Sequence, residues 1–243
     1  MQIEVLFTVA EAAHSDRAGA TAVVVDVIRA STTMVQALES GATGIYPAAS
    51  NDDAARLLQA VGREGALLAG ERQGLPIEGY DLGNSPTDFT PEAVSGKRIV
   101  FNTTNGTRTL LAAEGAERIF VCALTNLAAV VAAIEEAERV LVLCAGRNDR
   151  FALDDALCAG LLVQRLVDAT AAEVDLGDGA RAARELAVAT PPTEALLAST
   201  ASGRQLVDIG LGADLATCAA LDRSEVVPQM KERVVRRAHD QEA

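Results

Sequence analysis

Short runs of Val, Ile, Leu and Ala alternate with longer amphipathic stretches over the first 170 or so residues of this 243-residue chain. Several runs, such as Val23-Val24-Val25 and Leu141-Val142-Leu143, are continuously apolar rather than alternating. That is how strands covered on both faces read, and strands interleaved with amphipathic helices make an α/β unit. The pattern predicts strands over 4–7, 22–27, 44–46, 66–69, 98–101, 118–122 and 139–144. It predicts helices over 32–40, 52–61, 106–113, 127–137 and 154–170. Ser31 is placed to cap the helix 32–40 and Gly41 to end it, and Ser50 or Asn51 to cap the next. The expected fold is a three-layer α/β/α sandwich with a largely parallel or mixed central sheet.

After about residue 175 the spacing changes. Residues 178–189, 193–199, 203–208 and 213–220 read as successive short helices, and 226–228 with 234–236 as a small strand pair. No Ser- or Gly-rich linker, repeat or low-complexity block interrupts the chain, so residues 1–243 read as a single domain with a helical C-terminal portion. Residues 70–91, with Gly70, Gly74, Gly79, Gly83, Pro76, Pro86 and Pro91, resist both periodicities. A loop of that length inside a compact domain is usually functional.

Four predicted strands run straight into polar clusters. Val25 is followed by Asp26-Val27-Ile28-Arg29-Ala30-Ser31-Thr32-Thr33, and Ala69 by Gly70-Glu71-Arg72. Phe101 is followed by Asn102-Thr103-Thr104-Asn105-Gly106-Thr107-Arg108, and Leu143 by Cys144-Ala145-Gly146-Arg147-Asn148-Asp149-Arg150. Ligands of open α/β sheets bind beside the carboxyl ends of strands, where helix N-termini favour anions. A carboxylate held at a strand end, as Asp26 would be, suits a metal ligand or a nucleophile. Arg29 three residues on can fork onto a phosphate or sulfonate. Ser31, Thr32 and Thr33 supply hydroxyls, and Gly106 lets backbone approach a ligand closely. Paired acids such as Asp154-Asp155 at a helix start can hold a divalent cation or simply suit the helix dipole.

Charge narrows the partners. Lys plus Arg number 21 against 34 Asp plus Glu, a formal net charge of −13. Nucleic acid and anionic membrane surfaces both demand a basic face, so neither is expected. No apolar run approaches the ~20 residues of a membrane span, and the N-terminal residues lack the pattern of a signal peptide. The four cysteines are widely spaced without a Cys-x-x-Cys pair, which reads as reduced, buried thiols in a cytoplasmic protein. With two histidines and two lysines, Lys97 and Lys231, the chemistry falls to carboxylates, arginines, hydroxyls or a metal.

Taken together, Asp26-Val27-Ile28-Arg29-Ala30-Ser31-Thr32-Thr33, Gly70-Glu71-Arg72, Gly79-Tyr80-Asp81-Leu82-Gly83-Asn84-Ser85-Pro86, Thr103-Thr104-Asn105-Gly106-Thr107 and Cys144-Ala145-Gly146 with Asn148 resemble the 2-phosphosulfolactate phosphatase family in order and spacing. The later Asp154-Asp155 and Cys158-Ala159-Gly160 fit as well, and the resemblance covers about residues 1–230. It implies a magnesium-dependent phosphoric monoester hydrolase that converts 2-phospho-3-sulfolactate to 3-sulfolactate and phosphate, a step in coenzyme M biosynthesis. On that footing Asp26 and Arg29 are expected as catalytic residues, and Asp26, Glu71 and Asp155 as Mg²⁺ ligands. Ser31, Thr32, Arg72, Thr103, Thr104, Asn105, Gly106, Arg147 and Asn148 are expected around the substrate. The attacking group would be water or Asp26 itself. The same cradles would also serve a non-catalytic small-anion binding protein, a phosphatase of another small organophosphate, or a sugar- or nucleotide-binding transferase with residues 70–91 as its lid. Homo-oligomerisation fits an α/β enzyme of this size, and no interface is legible in the sequence.

Overall fold

The computed structural model describes residues 1–170 and 173–241. In chain order the elements are β1 (Gln2–Leu6), α1 (Val9–Ala12), β2 (Thr21–Val25), α2 (Ala30–Glu39), β3 (Gly44–Pro47), α3 (Asn51–Val61), β4 (Ala66–Arg72) and β5 (Leu75–Pro76). They continue with α4 (Pro91–Val94), β6 (Arg98–Asn102), α5 (Gly106–Ala112), β7 (Arg118–Cys122), α6 (Leu127–Ile134), β8 (Arg139–Cys144), α7 (Leu153–Ala169) and β9 (Asp175–Leu176). Four helices, α8 (Asp178–Ala189), α9 (Glu194–Ser199), α10 (Ala201–Asp208) and α11 (Asp214–Cys218), precede the closing strands β10 (Pro228–Lys231) and β11 (Val234–Arg237). Every strand and helix expected from periodicity is present, with ends shifted by at most three residues. Ser50 caps α3 by accepting from the Asp53 N–H, and Gly41 follows α2 at φ +92°. No helix among the described residues is long and apolar enough to cross a membrane.

The strands form one 11-stranded sheet in the order β5-β4-β6-β3-β11-β10-β7-β2-β8-β1-β9. β4, β6 and β3 are parallel, and so are β7, β2, β8, β1 and β9. The C-terminal hairpin joins these two blocks antiparallel on both of its sides. The expected small strand pair is thus present, and it forms the middle of the sheet. Its two-residue turn has φ +52° at Glu232 and +61° at Arg233, the left-handed geometry that matches strand twist. Three antiparallel steps reverse strand direction between β2 and β6. The twist gathered over the five intervening steps, roughly 100–125° at 20–25° each, turns it back by more than half.

Alternate residues of one strand enter different layers. Val23 and Val25 of β2 join Val140 and Val142 of β8 against Leu127 and Val130 of α6 and Leu162 and Leu166 of α7. Ala22 and Val24 face the other way, onto Met34 and Leu38 of α2, Leu110 of α5 and Ile99 and Phe101 of β6. Val100 of β6 meets Ala54 and Leu58 of α3 in a third cluster. Each such buried aliphatic side chain contributes about 1.5–3 kcal/mol relative to exposure. This burial on both faces explains the continuous apolar runs and makes the architecture a three-layer α/β/α sandwich. The segment after Gly70 is more ordered than its composition suggests. β4 continues to Arg72 and turns back through β5, with Gln73 at φ +54° and Gly74 at +86°.

Candidate active site

β2 ends at Val25, so Asp26 is the first residue past the strand rather than part of it. Its backbone N–H donates to Ser31 Oγ at 2.9 Å, and its Oδ1 accepts from the Ala30 N–H at 3.2 Å. Ser31 consequently locks the turn instead of capping α2, whose N-cap is Arg29. The Thr32 hydroxyl donates to the Val27 carbonyl at 2.9 Å, and the Thr33 hydroxyl to the Asn84 carbonyl at 3.0 Å. The Arg29 guanidinium is buried. It pairs with Asp214 Oδ2 at 2.7 Å and donates to the Gly74 carbonyl at 2.6 Å.

Acidic side chains tie the strand exits together in pairs. Glu71 Oε1 accepts from the Thr104 N–H at 2.7 Å, while Oε2 accepts from the Gly74 N–H at 2.7 Å and the Thr104 hydroxyl at 3.1 Å. Asp155 Oδ1 accepts from the Val27 N–H and Oδ2 from the Gly146 N–H, both at 2.9 Å, so it clamps the β2 and β8 exits together. Asp154 accepts from the Ser202 hydroxyl at 3.2 Å. Gly106 opens α5 directly beneath Asp26. A Cβ there would lie 2.6 Å from Asp26 Oδ2 and 2.5 Å from Ala30 Cβ, so what its bareness admits is the carboxylate.

These residues surround a cavity of about 290 Å³, near the lower end for small-ligand sites. Of the residues expected from sequence, Asp26, Arg29, Glu71, Thr104, Asn105, Arg147, Asn148 and Asp155 line it. Ser31, Thr32, Arg72, Thr103 and Gly106 do not. Ser31 and Thr32 hold the β2 turn, and Thr103 accepts from the Thr107 N–H at 3.1 Å. Arg72 is drawn to the Asn102 side-chain oxygen at 2.7 Å. Sequence reasoning missed Gln73, Gly74, Asn84, Asp154, Ser202 and Gln205 in the lining. Asp154 belongs to the acidic pair at the start of α7, whose two carboxylates the local sequence does not tell apart. Ser202 and Gln205 lie on α10, far from any strand exit, and no local signal marks them. Gln205 Oε1 accepts from Arg147 Nη2 at 2.8 Å, and its Nε2 donates to the Gln73 carbonyl at 2.7 Å.

Electrostatics set this cavity apart from the rest of the molecule. Burial, then the charge of Glu71, lifts the Asp26 carboxyl to about 7. Burial also lifts Asp154 to about 6, opposed by the Ser202 hydrogen bond and the Arg147 charge. Asp155 is pushed well up by burial, then by Asp154 and Asp26. Four carboxylates thus face two arginines across one cavity. Among the described residues no three acidic, His or Cys side chains converge as a metal-ligand group. Of the set Asp26, Glu71 and Asp155, both oxygens of Glu71 and of Asp155 already accept hydrogen bonds from protein N–H or hydroxyl groups. Among the described residues, Asp26 Oδ2 receives no hydrogen bond, and Asp154 receives only one from another residue, Ser202.

Comparison with known proteins is consistent along the chain. Residues 6–233 match the family model described as 2-phosphosulpholactate phosphatase. A probable 2-phosphosulfolactate phosphatase of Thermotoga petrophila is 39% identical over 211 residues, covering 86% of this chain and 88% of its own. One from Carboxydothermus hydrogenoformans is 36% identical over 230 residues, covering 94% and 93%, and one from Prochlorococcus marinus 38% over 217, covering 85% and 87%. With acidic strand exits gathered on a small cavity and a match that spans nearly the whole length, the chain belongs to the 2-phosphosulfolactate phosphatase family.

Proposed function

We propose that this chain is a magnesium-dependent phosphatase that hydrolyses 2-phospho-3-sulfolactate to 3-sulfolactate and phosphate, a product that would serve coenzyme M synthesis. The observation that carries the reading is the charge imbalance of the cavity. An anionic ester cannot settle among Asp26, Glu71, Asp154 and Asp155 with only Arg29 and Arg147 opposite, unless a cation or protons offset the carboxylates. The donor set fits Mg²⁺, which is commonly held by one or two carboxylates, waters and a substrate phosphate rather than by an all-protein cage. Asp26 and Asp154 would hold it. Bound there, Mg²⁺ would supply Lewis-acid stabilisation of charge on the phosphoryl oxygens.

The chain's own residues do the rest. Arg29 is fixed through Nη1 by Asp214 and through Nη2 by Gly74, and as a lining residue of the cavity it would turn its other N–H groups to phosphoryl oxygens. Arg147, steadied by Gln205, takes the carboxylate or sulfonate of the substrate. Asn105, whose side chain caps nothing, adds an amide. Thr104 does not hold phosphate through its hydroxyl, because that group and its N–H are spent on Glu71. The attacking group in this reading is water; phosphate trapped covalently on Asp26 by rapid quench would overturn that choice. The four cysteines are free and buried, which suits a reducing compartment, and we place the protein in the cytoplasm.

The test is phosphate release from a panel of small phosphate esters, with Mg²⁺ and with chelator. The expected outcome is fastest release from 2-phosphosulfolactate, abolished by chelator. Release that survives chelator removes the metal from the reading. No release from any ester leaves an anion-binding protein.

A further inference from the structure

Asn84 lines the cavity and is 4% exposed, yet neither end of its side-chain amide has a hydrogen-bond partner among the described residues. Native interiors leave few buried polar groups unpaired, because each costs free energy that no protein contact returns. The other buried side-chain atom of this kind, Thr125 Oγ1, lies away from the cavity. In Asn84 the enclosed atom without a partner is Oδ1, an acceptor; Nδ2 is not enclosed to that degree, and the residue lines the cavity. The backbone around it is held firmly. The Asn84 carbonyl accepts from the Thr33 hydroxyl, and the next residue, Ser85, donates to Asp214 Oδ1 at 2.6 Å. Asp214 is the carboxylate that fixes Arg29. An amide donor without a protein acceptor is therefore presented rigidly to the same space as the guanidinium.

We propose that Asn84 is a substrate-contact residue, its Nδ2–H donating to an anionic oxygen of the bound phosphate ester. The assignment rests on the phosphatase reading above and adds a contact to it. A neutral amide supplies directional hydrogen bonding to an oxyanion without adding to the charge of the site.

Asn84→Ala and Asn84→Asp separate this role from a structural one. Because the amide holds nothing in the protein, Asn84→Ala should melt at or above the wild-type temperature. Inorganic phosphate, titrated calorimetrically with Mg²⁺ present, should bind about tenfold more weakly to that variant, with KM for the best ester rising in parallel. Asn84→Asp keeps the shape but sets a carboxylate against the anion, and should bind more weakly still. Weaker phosphate binding in both variants with unimpaired melting supports the contact. Wild-type phosphate affinity in either variant, or affinity lost only together with thermal stability, overturns it. A wild-type chain that binds phosphate but hydrolyses no ester would refute the phosphatase reading and leave this contact standing. Hydrolysis by the wild type, unchanged in Asn84→Ala, would do the reverse.

Discussion

Replacing Asp214 by Asn deletes the negative half of a buried ion pair and little else. The side chains of Arg29 and Asp214 are 2% and 4% exposed, with nitrogen and oxygen 2.7 Å apart. Asparagine keeps the shape and can still accept from Ser85, but it cannot neutralise the guanidinium. Removing one partner of a buried pair costs about 3–5 kcal/mol, mostly for the charge left behind. Arg29 borders a cavity that admits water and retains the Gly74 carbonyl, so the lower figure, about 3 kcal/mol, is expected. At about 2–4 °C per kcal/mol for a chain of this size, the melting temperature should fall by roughly 6–12 °C. Millimolar phosphate should restore more of that loss in Asp214→Asn than it adds to wild type, since it supplies the missing anion. Adding Arg29→Met should cost less than the sum of the single changes, because the double variant buries no lone charge. A drop under about 2 °C, or single effects that simply add, would refute the reasoning. The pair need not be a large net stabiliser for this to hold; its value lies in fixing one rotamer of Arg29.

The site makes two further demands. Gly106→Ala should destabilise by about 1–3 kcal/mol through overpacking against Asp26 and Ala30, although alanine is the better helix former by about 1 kcal/mol; urea unfolding checks it, and wild-type stability with wild-type turnover would contradict the packing. Asp26 is lifted from 3.8 to about 7 in the fold, so between those values the folded chain carries a proton that the unfolded chain has lost. Stability of the chelator-treated protein should therefore fall as pH rises from about 4 to 7 and level off above. Asp26→Asn should lack that share of the slope and be inactive. Equal slopes, or an active variant, would show that Asp26 is not the strained carboxylate of the site.

The layered fold and four of the site's walls could be read from the chain because both depend on local order. Burial on both faces of a strand shows as an unbroken apolar run, and the residue after the run is held at the sheet's edge wherever the strand sits. Asp26, Arg29, Glu71 and Arg147 were legible for that reason. Other features depended on contacts distant in sequence. The hairpin Pro228–Arg237 carries the alternation of any edge pair, and only its fit between β7 and β3 makes it the centre of the sheet. Asp214 reads as a helix-start acid until Arg29, 185 residues earlier, is brought against it. Ser31, Thr32 and Thr103 look like ligand hydroxyls in sequence, but a turn that leaves a buried strand must satisfy its own backbone first. Residue types and strand ends thus determined what chemistry the chain carries. Which carboxylates keep free oxygens, and which arginines keep free edges, was decided only when distant segments packed, because hydrogen-bond partners are allotted by proximity in space.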